Sequence, residues 1–288
     1  MTFLSGSGII SNKTTERRNI CLRGQIKAME IFDCHAHIYP EAIAEKAVKS
    51  IGEFYSIPMG EKGTADVLCQ IGKEAGISHF VVHSVAVLPK HVQNINNFIA
   101  AECEKHKEFI GFGTIHADFE NPAAEIDRIT KMGLCGLKIH PDTQYFNMDC
   151  DNMMKIYEII EGKMPVLIHC GDYRYDYSHP RRLARILDTF PNLTVIAAHF
   201  GGWSICDLAL EYLEGRNCYL DVSSSMMYTG NKRAKELIRI YGAERMLFGS
   251  DYPMWSPKEE LERFMSLGLT DEEKRLILCD NAKKLFGL

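Results

Sequence analysis

The run MEIFDCHAH, Met29 to His37, ends an apolar stretch with an aspartate and two histidines one residue apart. Residues two apart on a strand share a face, so His35 and His37 can offer two imidazoles to one ion. Three more residues close comparable apolar runs: His169 in PVLIHCG, His199 in LTVIAAHFGG and Asp251 in RMLFGSDYP. Neutral imidazoles with one carboxylate suit zinc, and with more oxygen ligands manganese or iron. A single histidine at a strand end is more often a hydrogen-bonded packing residue. An HxH pair with three further donors at equivalent positions is the pattern of a metal site.

The elements that position these residues follow from the hydropathy pattern. Eight short runs recur from residue 30 onward: EIFDCHAH, HFVVHSVAV, FIGFGTIHA, CGLKIHP, PVLIHCG, LTVIAAHFGG, CYLDVSSS and RMLFGSDYP. Between most of them lie amphipathic helical patterns, among them NPAAEIDRITKMG, MMKIYEIIEGK, SHPRRLARILDTFP and NKRAKELIRIYG. Strands alternating with helices predict a parallel sheet with helical crossovers. Eight such units close into a single-domain (β/α)8 TIM barrel, an α/β fold whose site lies at the C-terminal ends of the strands. A doubly wound open sheet is the alternative, but no dinucleotide-binding glycine fingerprint is present. Ser256-Pro257-Lys258-Glu259 and Thr270-Asp271-Glu272-Glu273 read as helix starts, the second leading to a final helix that ends near Phe286. Between the first two strands, EFYSIPMGEKGT reads as an extended loop over the barrel mouth, a candidate lid.

Composition narrows the partners. The chain has 288 residues and a net charge of −5, so no basic field exists to hold a nucleic acid. No apolar stretch approaches the roughly 18 residues of a membrane span. The 10 cysteines are scattered without a CxxC, which suits free thiols in a reducing cytoplasm. Residues 1–28 are polar and nearly free of acid. They read as an N-terminal extension, disordered or upstream of a true start at Met29, with a targeting segment as the alternative. Residues 29–288 form the barrel. A homo-oligomer is compatible with all of this, as symmetric assemblies are common among soluble enzymes.

Together DCHAH, GLKIHP, VLIHCGD, VIAAHFGGW and LFGSDYP resemble the amidohydrolase superfamily, in particular its amidohydrolase-2 branch, in order over residues 30 to 287. That branch includes metal-dependent hydrolases, non-oxidative decarboxylases of the aminocarboxymuconate-semialdehyde type and some hydratases. The resemblance implies that His35, His37, His169 and Asp251 are metal ligands. It makes His199 either a second-metal ligand or a catalytic acid/base. In binuclear hydrolases of the superfamily, a carboxylated lysine or a glutamate on strand four bridges two metals. Here Lys138 shares a face with His140, and three roles stay open: carboxylated bridge, ammonium for a substrate carboxylate, or buried structural charge. The second is preferred, with one Zn2+ as the expected cofactor and a second metal only if Lys138 is carboxylated.

A divalent ion with an open position lowers the pKa of its water toward about 7. Asp251 could then accept the water proton while His199 hydrogen-bonds the oxyanion or protonates the leaving group. In a decarboxylase, His199 or Asp251 would instead deliver a proton to the carbon that loses CO2. Asp33 is expected to orient one imidazole, and Cys34 and Cys170 to pack on the opposite face. Arg174, among the tyrosines of GDYRYDYSHP, is a candidate for a substrate carboxylate. Trp203 and His140 are candidates for the pocket wall. The expected function is hydrolysis of a small, carboxylated organic molecule, with non-oxidative decarboxylation as the alternative. A metal-dependent nuclease on a similar HxH barrel is disfavoured by the acidic charge and by GLKIHP, where such relatives would carry a glutamate. A non-catalytic barrel with a structural metal is disfavoured by the surplus histidine at the functional edge.

Overall fold

All eight apolar runs form strands, each shorter than its run: β1 Phe32–His37, β2 His79–His83, β3 Phe109–Thr114, β4 Gly136–Ile139, β5 Val166–Ile168, β6 Val195–Ala197, β7 Tyr219–Asp221 and β8 Met246–Leu247. This is a computed structural model, and it describes residues 29–288. The reading of residues 1–28 lies outside the described residues. Neighbouring strands pair in parallel in the order β1 to β8. The seam from β8 to β1 is drawn together by backbone bonds from Cys34 N to Phe248 O, Asp251 N to His35 O and His37 N to Tyr252 O. The result is a (β/α)8 barrel.

The strands are short because their carboxyl-terminal residues leave the ladder to begin the loops. His140, His169, His199 and Asp251 all lie in those first loop residues. Packing divides into two layers. Val82, Ile139, Val166 and Ile168 point out against helix residues such as Ile99, Ile126, Ile156 and Leu183. Phe32, Cys34, Val81, Phe112, Leu167, Ile196 and Leu247 fill the barrel, with Cys279 and Ala282 beside them. This inner plug forms the dry floor on which the polar residues stand.

The β1–β2 register shifts between Asp33 and Ala36. The slip corrects two expectations, because a bulge breaks simple alternation. Cys34 lies in the inner plug, not under the helices. Asp33 does not share the site face: its Oδ1 accepts the backbone N–H groups of Ser250 at 2.9 Å and His35 at 3.2 Å. It fastens β8 to β1 and orients no imidazole. Cys170 packs in the outer layer as expected.

Among the helices, Pro122–Lys131 starts with proline and is capped by the Asn121 side chain, which accepts from Ala124 N. The capping box of Thr270 and Glu273 is formed, whereas Ser256 is an N-cap without a side-chain bond. Glu53–Tyr55 belong to the last turn of helix Glu41–Tyr55, so the expected loop begins only at Ser56. That turn matters for the cavity. Among the described residues no helix is long and apolar enough to cross a membrane, and their nine cysteines are free.

One buried network ties a helix to the site. Asn96, fully buried, donates to Thr114 O (3.1 Å) and Glu125 Oε1 (2.7 Å) and accepts from Thr114 N (2.7 Å). Thr114 Oγ1 in turn donates to Lys138 O on β4. Replacing Asn96 with leucine would leave a buried N–H and a carbonyl unmatched and a carboxylate short of a donor. The expected cost is about 3 kcal/mol of stability, read by denaturant melts of Asn96→Leu against the natural chain.

Candidate metal centre

The site lies at the carboxyl ends of the strands, on the floor of a cavity of about 500 Å³. His35, His37, Lys138, His140, His169, His199 and Asp251 line its polar part, and Ile43, Ile51, Phe54, Tyr55, Ile95 and Phe98 are among its apolar wall. Loop backbones approach closely here. A Cβ on Gly171 (φ +78) would stand 2.3 Å from Gly202 Cα, so the loop after β5 comes this close to the loop after β6 because residue 171 is glycine. Several non-glycine residues are held left-handed: His199 (φ 61), Phe200 (φ 54), Ser224 (φ 53) and Asp251 (φ 60). Such strain concentrates where surroundings over-determine the geometry.

Three donor atoms converge. Asp251 Oδ1 lies 3.3 Å from His35 Nε2 and 3.4 Å from His37 Nε2. In a tetrahedral shell with metal–nitrogen distances near 2.1 Å, neighbouring ligand atoms sit about 3.4 Å apart. The hydrogen-bond network fixes the protons. His35 Nδ1 donates to Asp221 Oδ2 at 2.8 Å, leaving the Nε2 lone pair toward Asp251. His199 Nδ1 donates to Ser223 O at 3.1 Å, so its Nε2 accepts from His169 Nδ1 at 3.0 Å. His169 Nε2 is therefore also a lone pair, 3.4 Å from Asp142 Oδ2.

Charge states agree with a ligand role. Burial would raise Asp251 and Asp221, but the imidazoles around them outweigh it and hold both below the ordinary carboxylate range. Burial holds His37 and His199 down to about 4, and His83, His140 and His169 well below their usual value. The His35 lone pair and the ionised Asp251 repel one another unless a cation lies between them, and His37 Nε2 stands beside the same oxygen, so the residues present fit a divalent ion. Lys138, fully buried, meets part of this need: its Nζ lies 2.9 Å from His35 Nε2. Burial lowers its ammonium to about 8, which leaves it charged at neutral pH.

The remaining expectations fall out unevenly. His140 lines the cavity, stacked on His169 with ring centroids 3.8 Å apart. Arg174 does not face the cavity: it grips Asp172 through Nε and Nη2 and donates to Phe54 O at 2.6 Å. Its fork is filled, so it cannot take a substrate carboxylate as it stands. Trp203 lies behind Tyr55, rings 4.8 Å apart, and Tyr55 forms the wall in its place. His199 turns its proton to a carbonyl and presents an acceptor, not an acid.

Two residues of the site went unassigned in the sequence. Asp221 sits inside CYLDVSSS, and a carboxylate in an otherwise apolar strand run was the available signal. Tyr55 carried no local signal, since only the tertiary fold carries its helix end over the barrel. Ser224 Oγ, which donates to Asp251 Oδ2 at 2.5 Å, is a further partner. His83 stands under His37 and His35, centroids 4.3 and 5.1 Å away. Among the described residues neither of its ring nitrogens has a partner.

The shifts predict acid sensitivity in chelator-treated protein. Below about pH 6.5 the unfolded chain takes up protons on five imidazoles that the fold keeps neutral. The carboxyls that burial raises, chiefly Asp33 and Asp142 at about 7, act in the opposite sense but are fewer. Where the unfolded state binds more protons, stability falls as pH falls, on the order of 1 kcal/mol per pH unit for each excess proton. Melts of the metal-free protein should drop steeply between about pH 6.5 and 4, and added divalent metal should oppose the drop.

The chain belongs to the amidohydrolase family, whose profile (Amidohydro_2, amidohydrolase) matches residues 32–288. Comparison with curated proteins gives no match. Among solved structures, the fold is similar to an uncharacterized TIM-barrel protein from Bordetella bronchiseptica, with 22% identity, TM-score 0.74 and coverage of 90% of this chain and 99% of that one. It is also similar to 5-carboxyvanillate decarboxylase from Novosphingobium aromaticivorans, complexed with manganese and 4-hydroxy-3-methoxy-5-nitrobenzoic acid: 19% identity, TM-score 0.70, coverage 91% and 97%. A third is a dihydroxybenzoic acid decarboxylase from Polaromonas sp. JS666 with manganese and 2-nitroresorcinol: 16% identity, TM-score 0.68, coverage 90% and 97%.

Proposed function

We propose that this chain is a metal-dependent, non-oxidative decarboxylase of a small, ring-sized carboxylic acid. Decarboxylation thus moves ahead of the hydrolysis that the sequence put first. The observation that carries it is Lys138, a buried ammonium on the polar floor of a cavity with apolar walls, beside the His35 lone pair. A buried cation there favours a substrate anion. The manganese-bound decarboxylases of the same fold support the reading.

His35, His37 and Asp251 would hold the ion, with His169 Nε2 as the next available lone pair. The ion, zinc or manganese, would supply a Lewis acid that holds a substrate oxygen and draws charge from the bond to the carboxylate. Lys138 would pair with the carboxylate once the ion takes the His35 lone pair. Asp251 is ionised, so it must first take a proton from water or a substrate hydroxyl and then return it to the carbon that loses CO2. The apolar wall excludes water from that carbon.

Hydrolysis by the same residues is the second reading, favoured by the closeness of Lys138 to His35, from which a carboxylated lysine could bridge two ions. Both readings are tested by offering manganese- or zinc-loaded protein a panel of hydroxybenzoates beside esters, lactones and amides. Metal-dependent CO2 release supports the proposal. Hydrolysis of the neutral substrates without CO2 from any acid, with a carboxyl group on Lys138 in the intact mass, would overturn it.

A further inference from the structure

Tyr55 ends the helix Glu41–Tyr55, and its chain turns away through Ser56 in a left-handed conformation. Its hydroxyl lies on the cavity wall, 2.7 Å from His140 Nε2 and 3.5 Å from His169 Nε2. The proton positions follow from His140. Its Nδ1 accepts the Thr143 N–H at 3.4 Å, so the neutral ring carries its single proton on Nε2. That Nε2–H donates to the Tyr55 oxygen. The phenolic proton is then free to point elsewhere, and its nearest acceptor, His169 Nε2, stands at the outer limit of a hydrogen bond. Burial keeps the phenol protonated, well above its usual pKa.

A donor so placed is also held in place. Arg174 donates to the carbonyl of Phe54, next to Tyr55, at 2.6 Å. Its guanidinium lies over Phe54 (4.8 Å), Tyr55 (5.5 Å) and Trp203 (6.0 Å) while Asp172, fully buried, anchors it through two nitrogens. The arginine that the sequence offered as a substrate ligand is thus a clamp on the helix end that delivers Tyr55. Tyr55 stands over His140 and His169, which follow β4 and β5, while His35 and His37 come from β1 and Asp251 from the loop after β8.

We propose that Tyr55, fixed by His140 and Arg174, forms an acceptor-oxygen subsite. It takes a carbonyl, nitro or phenolate oxygen, or that of a second carboxylate, carried by the substrate besides the carboxylate that is lost. The inference rests on the decarboxylase reading for the orientation of the acid, and it adds that the substrate carries an acceptor oxygen besides the carboxylate that is lost. A buried donor left unmatched is costly, so such a site discriminates against a ligand lacking the oxygen.

The test is calorimetric titration of manganese-loaded protein with 4-acetylbenzoate and 4-isopropylbenzoate, which match in shape and differ in the carbonyl oxygen. The natural chain should bind the acetyl compound about tenfold more tightly or better. Tyr55→Phe should erase that preference and leave the affinity for the isopropyl compound unchanged. Arg174→Met should reduce it, with melting curves confirming that both variants fold. Metal-dependent binding with the same preference in Tyr55→Phe, or with no preference in the natural chain, would overturn the subsite and leave the decarboxylase reading standing. Absence of metal-dependent binding by either benzoate would sink both.

Discussion

Asp251→Asn should lose at least about 10²-fold in turnover at saturating metal, the largest effect expected of any single substitution here. The substitution is nearly isosteric, and asparagine tolerates the left-handed backbone found at this position (φ 60). Ser224 Oγ can still donate to the remaining side-chain oxygen. What disappears is the charge that faces His35 Nε2 and His37 Nε2 at 3.3 and 3.4 Å. An amide is also no longer a base at any accessible pH, so the proton that the reaction moves has no carrier. Metal content by mass spectrometry, alongside turnover across a metal titration, separates the two losses. Turnover restored by excess metal would mean that Asp251 serves only to hold the ion. Unchanged turnover at ordinary metal concentration would remove the residue from the mechanism.

Asp221→Asn is expected to weaken metal binding by about 10- to 100-fold although Asp221 would act on the ion only through His35. Asp221 Oδ2 accepts from His35 Nδ1, while Oδ1 accepts from the backbone of His199 and Ser223 and from Ser223 Oγ. Those three donors hold the amide oxygen of an asparagine on their side and turn its NH2 toward His35 Nδ1. Two N–H groups cannot face each other, so His35 must move its proton to Nε2, where the lone pair for the ion had been. The loss acts through tautomer choice, the same logic by which a buried aspartate sets the imidazole of a catalytic triad. Nitrogen-15 spectra of the His35 ring report the proton directly: on Nδ1 in the natural chain, on Nε2 in the variant. Weaker metal binding with an unchanged tautomer would show that Asp221 acts by charge alone.

Much of the scaffold was legible because its signals are local. Eight β-rich runs and amphipathic intervals define the units of the barrel, and HxH followed by strand-end His169, His199 and Asp251 marks its functional edge. The misreadings have physical causes. Alternation placed Asp33 and Cys34 on the wrong faces because a register slip in β1 interrupts the period of two. Arg174 read as a free cation because Asp172, two residues back, could not be recognised as its partner.

Residue order thus determined the fold class, the number of units and the donor types at one edge, since hydropathy period and strand-end chemistry are written in neighbouring residues. Tertiary structure decided which lone pairs face one another, because these tautomers depend on partners far along the chain: Asp221 for His35, Ser223 for His199 and Tyr55 for His140. The same holds for Tyr55. Its place over the cavity is set by Arg174, more than a hundred residues away, and no local pattern encodes a contact of that range.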